Sequence, residues 1–238
     1  MSPERRFATT VLAGLSAVVV LLAAGNVATV VVDRRVRTLP EELLRVFNLN
    51  VESSLGTWLS IVLTALAGGL ALLAAWGSAD RRQRWGWLAV AGLLILLSVD
   101  DKVQFHERLP DYLGMERGSL ATHEWLLPGI VLLGLALVVV IVLARHLPRV
   151  PRRWLLVALV VFVAGSVGAE GLSGLLVRGA EGETGTLRRL VFGLMILEES
   201  LEMLGSALAV AVILGHLRAD GVLRRGPGAA SERSGPRL

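Results

Sequence analysis

The sequence predicts an all-α polytopic membrane protein, a six-transmembrane-helix bundle with one short outer amphipathic helix, and three observations lead there. Hydrophobic residues make up 54% of the 238, and the mean hydropathy of +0.65 is too apolar for a water-soluble domain of this length. Apolar runs of eighteen or more residues recur at roughly 7–32, 55–77, 85–107, 125–146, 153–177 and 189–216. A helix crosses the ~30 Å hydrocarbon core with ~20 residues at ~1.5 Å each. Finally, the alternating pattern of a lipid-facing barrel is absent, and in lipid only helices or closed barrels satisfy the backbone.

Charge orients the bundle. If the N-terminus is cytoplasmic, Met1–Arg6, Ala79–Arg84, Arg145–Arg153 and the tail after His216 carry fourteen arginines and four acids. The other side carries ten basic residues and sixteen acids. Arginine concentrated in short loops marks the cytoplasmic side, so both termini are expected on the inner side of the cell membrane that the helices cross. The pI near 10.8 then reflects topology and attraction to anionic membrane lipids rather than a nucleic-acid face. Cysteine is absent, which excludes disulfides, cysteine nucleophiles and any thiolate-ligated cofactor.

Span one, Phe7–Val32, is long for the apolar region of a signal peptide, and the small-residue cleavage pattern near Ala28 is poor, so a retained span is expected over a cleaved leader. On the outer side, Thr38 and Glu41 fit a capping box with Pro40 in the first turn. Leu39, Leu43, Val46 and Phe47 follow at helical spacing, predicting a short amphipathic helix on the membrane surface. Trp58 anchors the start of span two at the interface.

Span three ends in the stretch LSVDDKVQFHERL, and its helix is expected to continue until Pro110 and Gly114. Thr122 is placed to cap span four. In span five, Gly165, Ala169 and Ser173 recur every four residues and Gly168, Gly171 and Gly174 every three; small residues at such spacings let helices approach closely, predicting a central position for this span. No internal repeat is present, so residues 1–218 form one transmembrane domain, and 219–238, basic and rich in Gly, Pro and Ser, read as a disordered cytoplasmic tail.

Ionisable residues inside spans are expensive and face the bundle interior, so they are the candidate site. Counted from the cytoplasmic end of each helix at ~1.5 Å per residue, Asp100 stands ~22 Å high and Glu170 ~24 Å; on span six Glu202 and Glu199 stand ~20 and ~24 Å. Carboxylates from three helices thus reach one level in the outer half of the bilayer. A second layer lies above, with His106 and Glu107 on the continuation of span three, and His123 and Glu124 at the start of span four. Asp100, Gln104 and Glu107 share a helix face, as do Glu198 and Glu202, with Glu199 beside them.

So many carboxylates cannot stay ionised in low dielectric without compensation. Lys102, Arg108, Arg188 and Arg189 are the nearby cations. Either several acids are protonated and bonded across helices, or a metal collects them. The candidate metal ligands are Asp100, Glu107, Glu170, Glu198, Glu202, His106 and His123, with Asp101, Gln104, Glu124 and Glu199 as their partners. Carboxylate with imidazole suits a divalent metal such as iron, manganese or zinc; carboxylates alone suit calcium or magnesium. The Glu-x-x-His motif of di-metal bundles is absent. Either histidine lies close to the water interface, where an imidazole is more readily solvated than ligating.

The segments LNVESSLGTWLS, LLSVDDKVQFHERL and EESLEMLG resemble segments that recur in a family of uncharacterised bacterial multi-pass membrane proteins. There the central motif usually reads Ser-x-Asp-Glu followed by His-Glu, with a later Glu-Glu-x-x-Glu-Met. This chain has Asp101 where Glu is usual. The resemblance implies a shared site but brings no activity with it.

Three functions stay open at this stage. The cluster is the metal site of a membrane-embedded enzyme acting on a lipid-like substrate, by Lewis-acid or activated-water chemistry. Alternatively it serves a proton or divalent-cation transporter or channel, which the apolar cytoplasmic halves of spans three, four and six oppose. In the third reading it is the structural polar core of a non-catalytic scaffold or sensor.

Overall fold

The computed structural model describes residues 2–49, 51, 53–115, 126–179 and 185–224. Among them there is no strand, and five helices are long and apolar enough to cross a membrane. These are α1 (Pro3–Arg35), α3 (Leu55–Gly77), α6 (Leu126–Ala144), the continuous stretch from α7 (Arg149–Val163) into α8 (Glu170–Gly179), and α9 (Thr186–Ala219). The helix α4 (Arg81–Val103) has 23 residues, as α3 does. Its apolar stretch, however, is bounded by Arg84 at one end and by Asp100, Asp101 and Lys102 at the other. The polar residues that make α4 a candidate for the site also make it the least hydrophobic of the six expected spans. Histidine 123, Glu124, Thr122 and the tail beyond Arg224 lie outside the described residues.

The last helix is the hub. α9 packs against α1, α3, α7 and α8, while α4 packs on α3 and carries α6 on its other side. Span five is therefore a flank of α9 and not the centre, although its small residues do bring it close. A Cβ on Gly165 would stand 2.7 Å from the Glu198 carbonyl oxygen, and one on Gly205 would stand 2.8 Å from that of Ala158. Gly168, by contrast, has open space around it. Gly171 instead approaches Leu126 of α6, where a Cβ would stand 3.2 Å from its side chain, so each small residue serves its own contact and not one stripe as a whole.

The apolar core fills the half of the bundle nearest the basic end. Ala67, Ala71 and Ala74 of α3, Trp87 and Ala91 of α4, and Ala207, Val210 and Ile213 of α9 are all buried there. Above it, buried hydroxyls join helices: Thr64 and Ser206 stand 2.8 Å apart between α3 and α9, and Ser98 donates to the Ile61 carbonyl at 3.0 Å. Exposed tryptophans cluster toward the two ends of the bundle, with Trp76, Trp85 and Trp154 at the basic end and Trp58 at the other.

The short helix expected on the surface forms as α2 (Glu41–Phe47), with a different start. Pro40 is the residue before the first turn, and no side chain caps it. The capping box is not made. Instead α2 is tied to α1: the Asn26 amide donates to the Phe47 carbonyl at 2.8 Å, and Asp33 accepts from the Leu39 N–H at 2.9 Å. Tertiary partners here replace the local cap that the spacing suggested.

Two local irregularities shape the acid-rich half. α4 does not continue to Pro110. Gln104 adopts a left-handed conformation (φ 57°, ψ 46°), and a separate helix, α5 (Phe105–Tyr112), begins after it with Pro110 inside. The second is a π-helical turn at Ala164–Ala169, between α7 and α8, which delivers Glu170 as the first residue of α8. Such turns insert an extra residue into a helix and are frequent at functional sites.

Candidate functional site: a carboxylate cluster in the acid-rich half

Five acids from three helical segments share one electrostatic neighbourhood. Glu202, the deepest, interacts with Glu199, Asp101, Glu198 and Glu170. Glu199 interacts with Asp101 and Glu170, and Glu198 with Glu170 and Glu199. The sequence spacing explains the α9 contribution, since Glu198 and Glu202 lie one turn apart on a stripe and Glu199 lies beside them. Glu170 joins through the π turn. The Glu202 side chain lies over Gly165 of the π turn, where a Cβ would meet its Cγ at 3.1 Å, so the glycine makes the room that lets the turn pack on α9 and bring Glu170 of α8 toward the α9 acids.

The paired aspartates divide. Asp101 faces the α9 acids, whereas Asp100 turns to His106. Its Oδ2 lies 2.7 Å from Nδ1 of the imidazole, and its Oδ1 accepts from the His106 backbone N–H at 3.1 Å. The break at Gln104 makes this possible, because it folds the chain back so that a residue six positions on meets the same carboxylate. A regular helix would carry residue 106 roughly 9 Å along the axis and 240° away. With Nδ1 as the donor, the bond fixes the tautomer and turns Nε2 away from Asp100, the arrangement in which an imidazole acts as a base or a ligand.

The remaining candidates fall elsewhere. Gln104 is the left-handed residue itself. Glu107 lies in α5, with its side chain outside the described residues. Lys102 and Arg108 are exposed, and Arg189 donates to the Gly185 carbonyl at its own helix start. Among the described residues, no group of three or more carboxylates and imidazoles converges at distances that would hold one metal ion. Two residues that the sequence reading passed over, Thr64 and Ser206, continue the polar interior just below Glu202. Ser206 follows Glu202 by one helical turn, and that i, i+4 relation was the available signal.

Residues 12–217 match a family described as a domain of unknown function, DUF8692. The chain belongs to this DUF8692 family. No curated protein and no solved structure matches it. The match takes in every helix from α2 through α8 and most of α1 and α9, so the carboxylate cluster lies wholly within the family's own extent.

Proposed function

We propose that this DUF8692 protein spans a bacterial plasma membrane six times, with α4 as the sixth span and both termini cytoplasmic, and that its carboxylate cluster is a divalent-cation site in the outer half of the bilayer. The spanning role of α4 is supported by its length and by its packing between α3 and α6. The observation that carries the site is the gathering of Asp101, Glu170, Glu198, Glu199 and Glu202 around Glu202. Like charges collected from three helices in low dielectric are stable only with protons or a cation among them. Carboxylates alone form a hard-cation site; with the imidazole of His106 or His123 the set suits iron, manganese or zinc. Because no three described ligands converge, binding requires the glutamate side chains to rotate inward. The bound cation would supply Lewis-acid or water-activating chemistry for a lipid-like substrate entering from the outer leaflet. Asp100 and His106, beside the cluster, would hold or move the proton of that reaction.

A second reading, proton passage, has one observation in its favour. Ser206 and Thr64 extend the polar line downward from Glu202. Below them Ala207, Val210 and Ile213 are buried in the apolar core, and a continuous path would have to open through it.

Elemental analysis of detergent-purified protein tests the site. Near-stoichiometric iron, manganese or zinc in the wild type, lost in a folded Glu198→Gln/Glu202→Gln variant, supports it. No metal in either, with equal thermal stability, rejects it and leaves the acids to proton chemistry or to structure.

A further inference from the structure

At the basic end α6 and α7 diverge from their shared turn. α6 packs on α4 and α7 on α9, and the two are not packed against each other along their length. Between them runs a groove with a cavity of ≈ 70 Å³. Its floor is made by Val90 of α4 and by Ala158 and Ala209, all buried. Its rims are Ile141 and Leu156, 49% and 41% exposed, so the groove opens sideways toward the lipid. The wall is apolar except near Ser206 and at the mouth, where Arg152 lies.

That mouth is held in place. The Arg152 guanidinium donates to the Arg145 carbonyl at 2.6 Å, across the α6–α7 turn. Leu147 of the turn is buried against α4, where a Cβ on Gly86 would meet the Leu143 carbonyl oxygen at 2.9 Å. Arg145, Arg149 and Arg153 stand exposed on the same turn. The neighbouring Trp85 and Trp154 are exposed too, and aromatic residues of this kind sit at headgroup level. An apolar slot that starts at headgroup level beneath a fixed guanidinium has the amphipathy of one molecule class. Arginine recognises phosphate through its planar fork, and basic pockets between spans take anionic headgroups.

We propose that the α6–α7 groove is a binding site for an anionic phospholipid, with one acyl chain lying between Ile141 and Leu156 and its phosphate on Arg152. The site rests on the membrane-spanning reading and is independent of any metal in the acid cluster.

The test is native mass spectrometry of protein extracted in mild detergent and titrated with phosphatidylglycerol or phosphatidylcholine, for wild type, Arg152→Gln, Arg153→Gln and Ala144→Leu. Arg153 lies on the same turn but outside the groove, so it controls for bulk charge. Wild type is expected to retain one phosphatidylglycerol per chain and to prefer it over phosphatidylcholine. Arg152→Gln should weaken that binding by about tenfold, the value of one charge-assisted hydrogen bond, while Arg153→Gln stays near wild type. Ala144→Leu, which narrows the groove, should lower retention with either headgroup, and it decides the matter if Arg152→Gln does not fold. Equal losses in the two arginine variants, equal binding of the two lipids, or no retained lipid would each overturn the proposal. Release of the protein from membranes by alkaline carbonate without detergent would instead overturn the membrane-spanning reading itself.

Discussion

His106 and Asp100 face one another across a left-handed residue: Nδ1 and Oδ2 are 2.7 Å apart, and Gln104 at φ 57° lies between them in the chain. Asp100 thus serves both helices: its main-chain carbonyl accepts from the Gln104 N–H at the end of α4, and its carboxylate accepts from the His106 N–H at the start of α5. Asp100→Asn keeps the shape but removes the charge that orders the imidazole. Both side chains keep about a third of their exposure, 27% for His106 and 32% for Asp100, so solvent screens the pair. The expected loss is on the order of 1 kcal/mol, read as a lower thermal midpoint in detergent.

The conformation of Gln104 makes its own prediction. A left-handed residue with a β-branched side chain is strained by roughly 1–2 kcal/mol, whereas glycine adopts that region freely. Gln104→Ile should therefore destabilise the protein and Gln104→Gly should not, by the same thermal measurement. Equal behaviour of the two would mean that the side chain, and not the backbone, sets the break.

Gly165, in the π turn between α7 and α8, is where that turn comes closest to α9. Gly165→Ala places a methyl 2.7 Å from a main-chain oxygen, which the helices can relieve only by separating. Overpacking of this kind costs about 1–3 kcal/mol. Gly168→Ala, with open space around it, should be neutral or stabilising by up to about 1 kcal/mol through helix propensity, so the pair of variants separates contact from propensity.

Thr64 and Ser206 join α3 to α9 through buried hydroxyls 2.8 Å apart. A double-mutant cycle with Thr64→Val and Ser206→Ala is expected to give a coupling of about 0.6 kcal/mol, typical of hydrogen bonds between spans. Zero coupling would show that each hydroxyl is satisfied by its own helix, as Thr64 already is in part through the Ser60 carbonyl at 2.8 Å.

Asn26 is 1% exposed and holds α2 through the Phe47 carbonyl. Asn26→Ala removes the donor that ties the surface helix down. Hydrogen exchange at residues 41–47 should rise by about tenfold, the equivalent of one lost net hydrogen bond, with α3 and α9 unchanged.

The sequence by itself determined the helical class, the places of the apolar runs and the excess of arginine at one end and of acid at the other. Those follow from composition and from runs longer than a bilayer is thick, which no tertiary contact can alter. It also placed Glu198, Glu199 and Glu202 together, because a single unbroken helix carries them. The tertiary structure decided what depends on departures from a regular helix. The left-handed Gln104 brings His106 back to Asp100, while Asp101, one residue on in α4, faces the α9 acids. The π turn sets where Glu170 emerges, and Gly165 sets how closely that turn meets α9. A one-residue change of phase rotates every later side chain by about 100°. It arises from packing between helices distant in sequence, so periodicity read along one helix cannot reveal it.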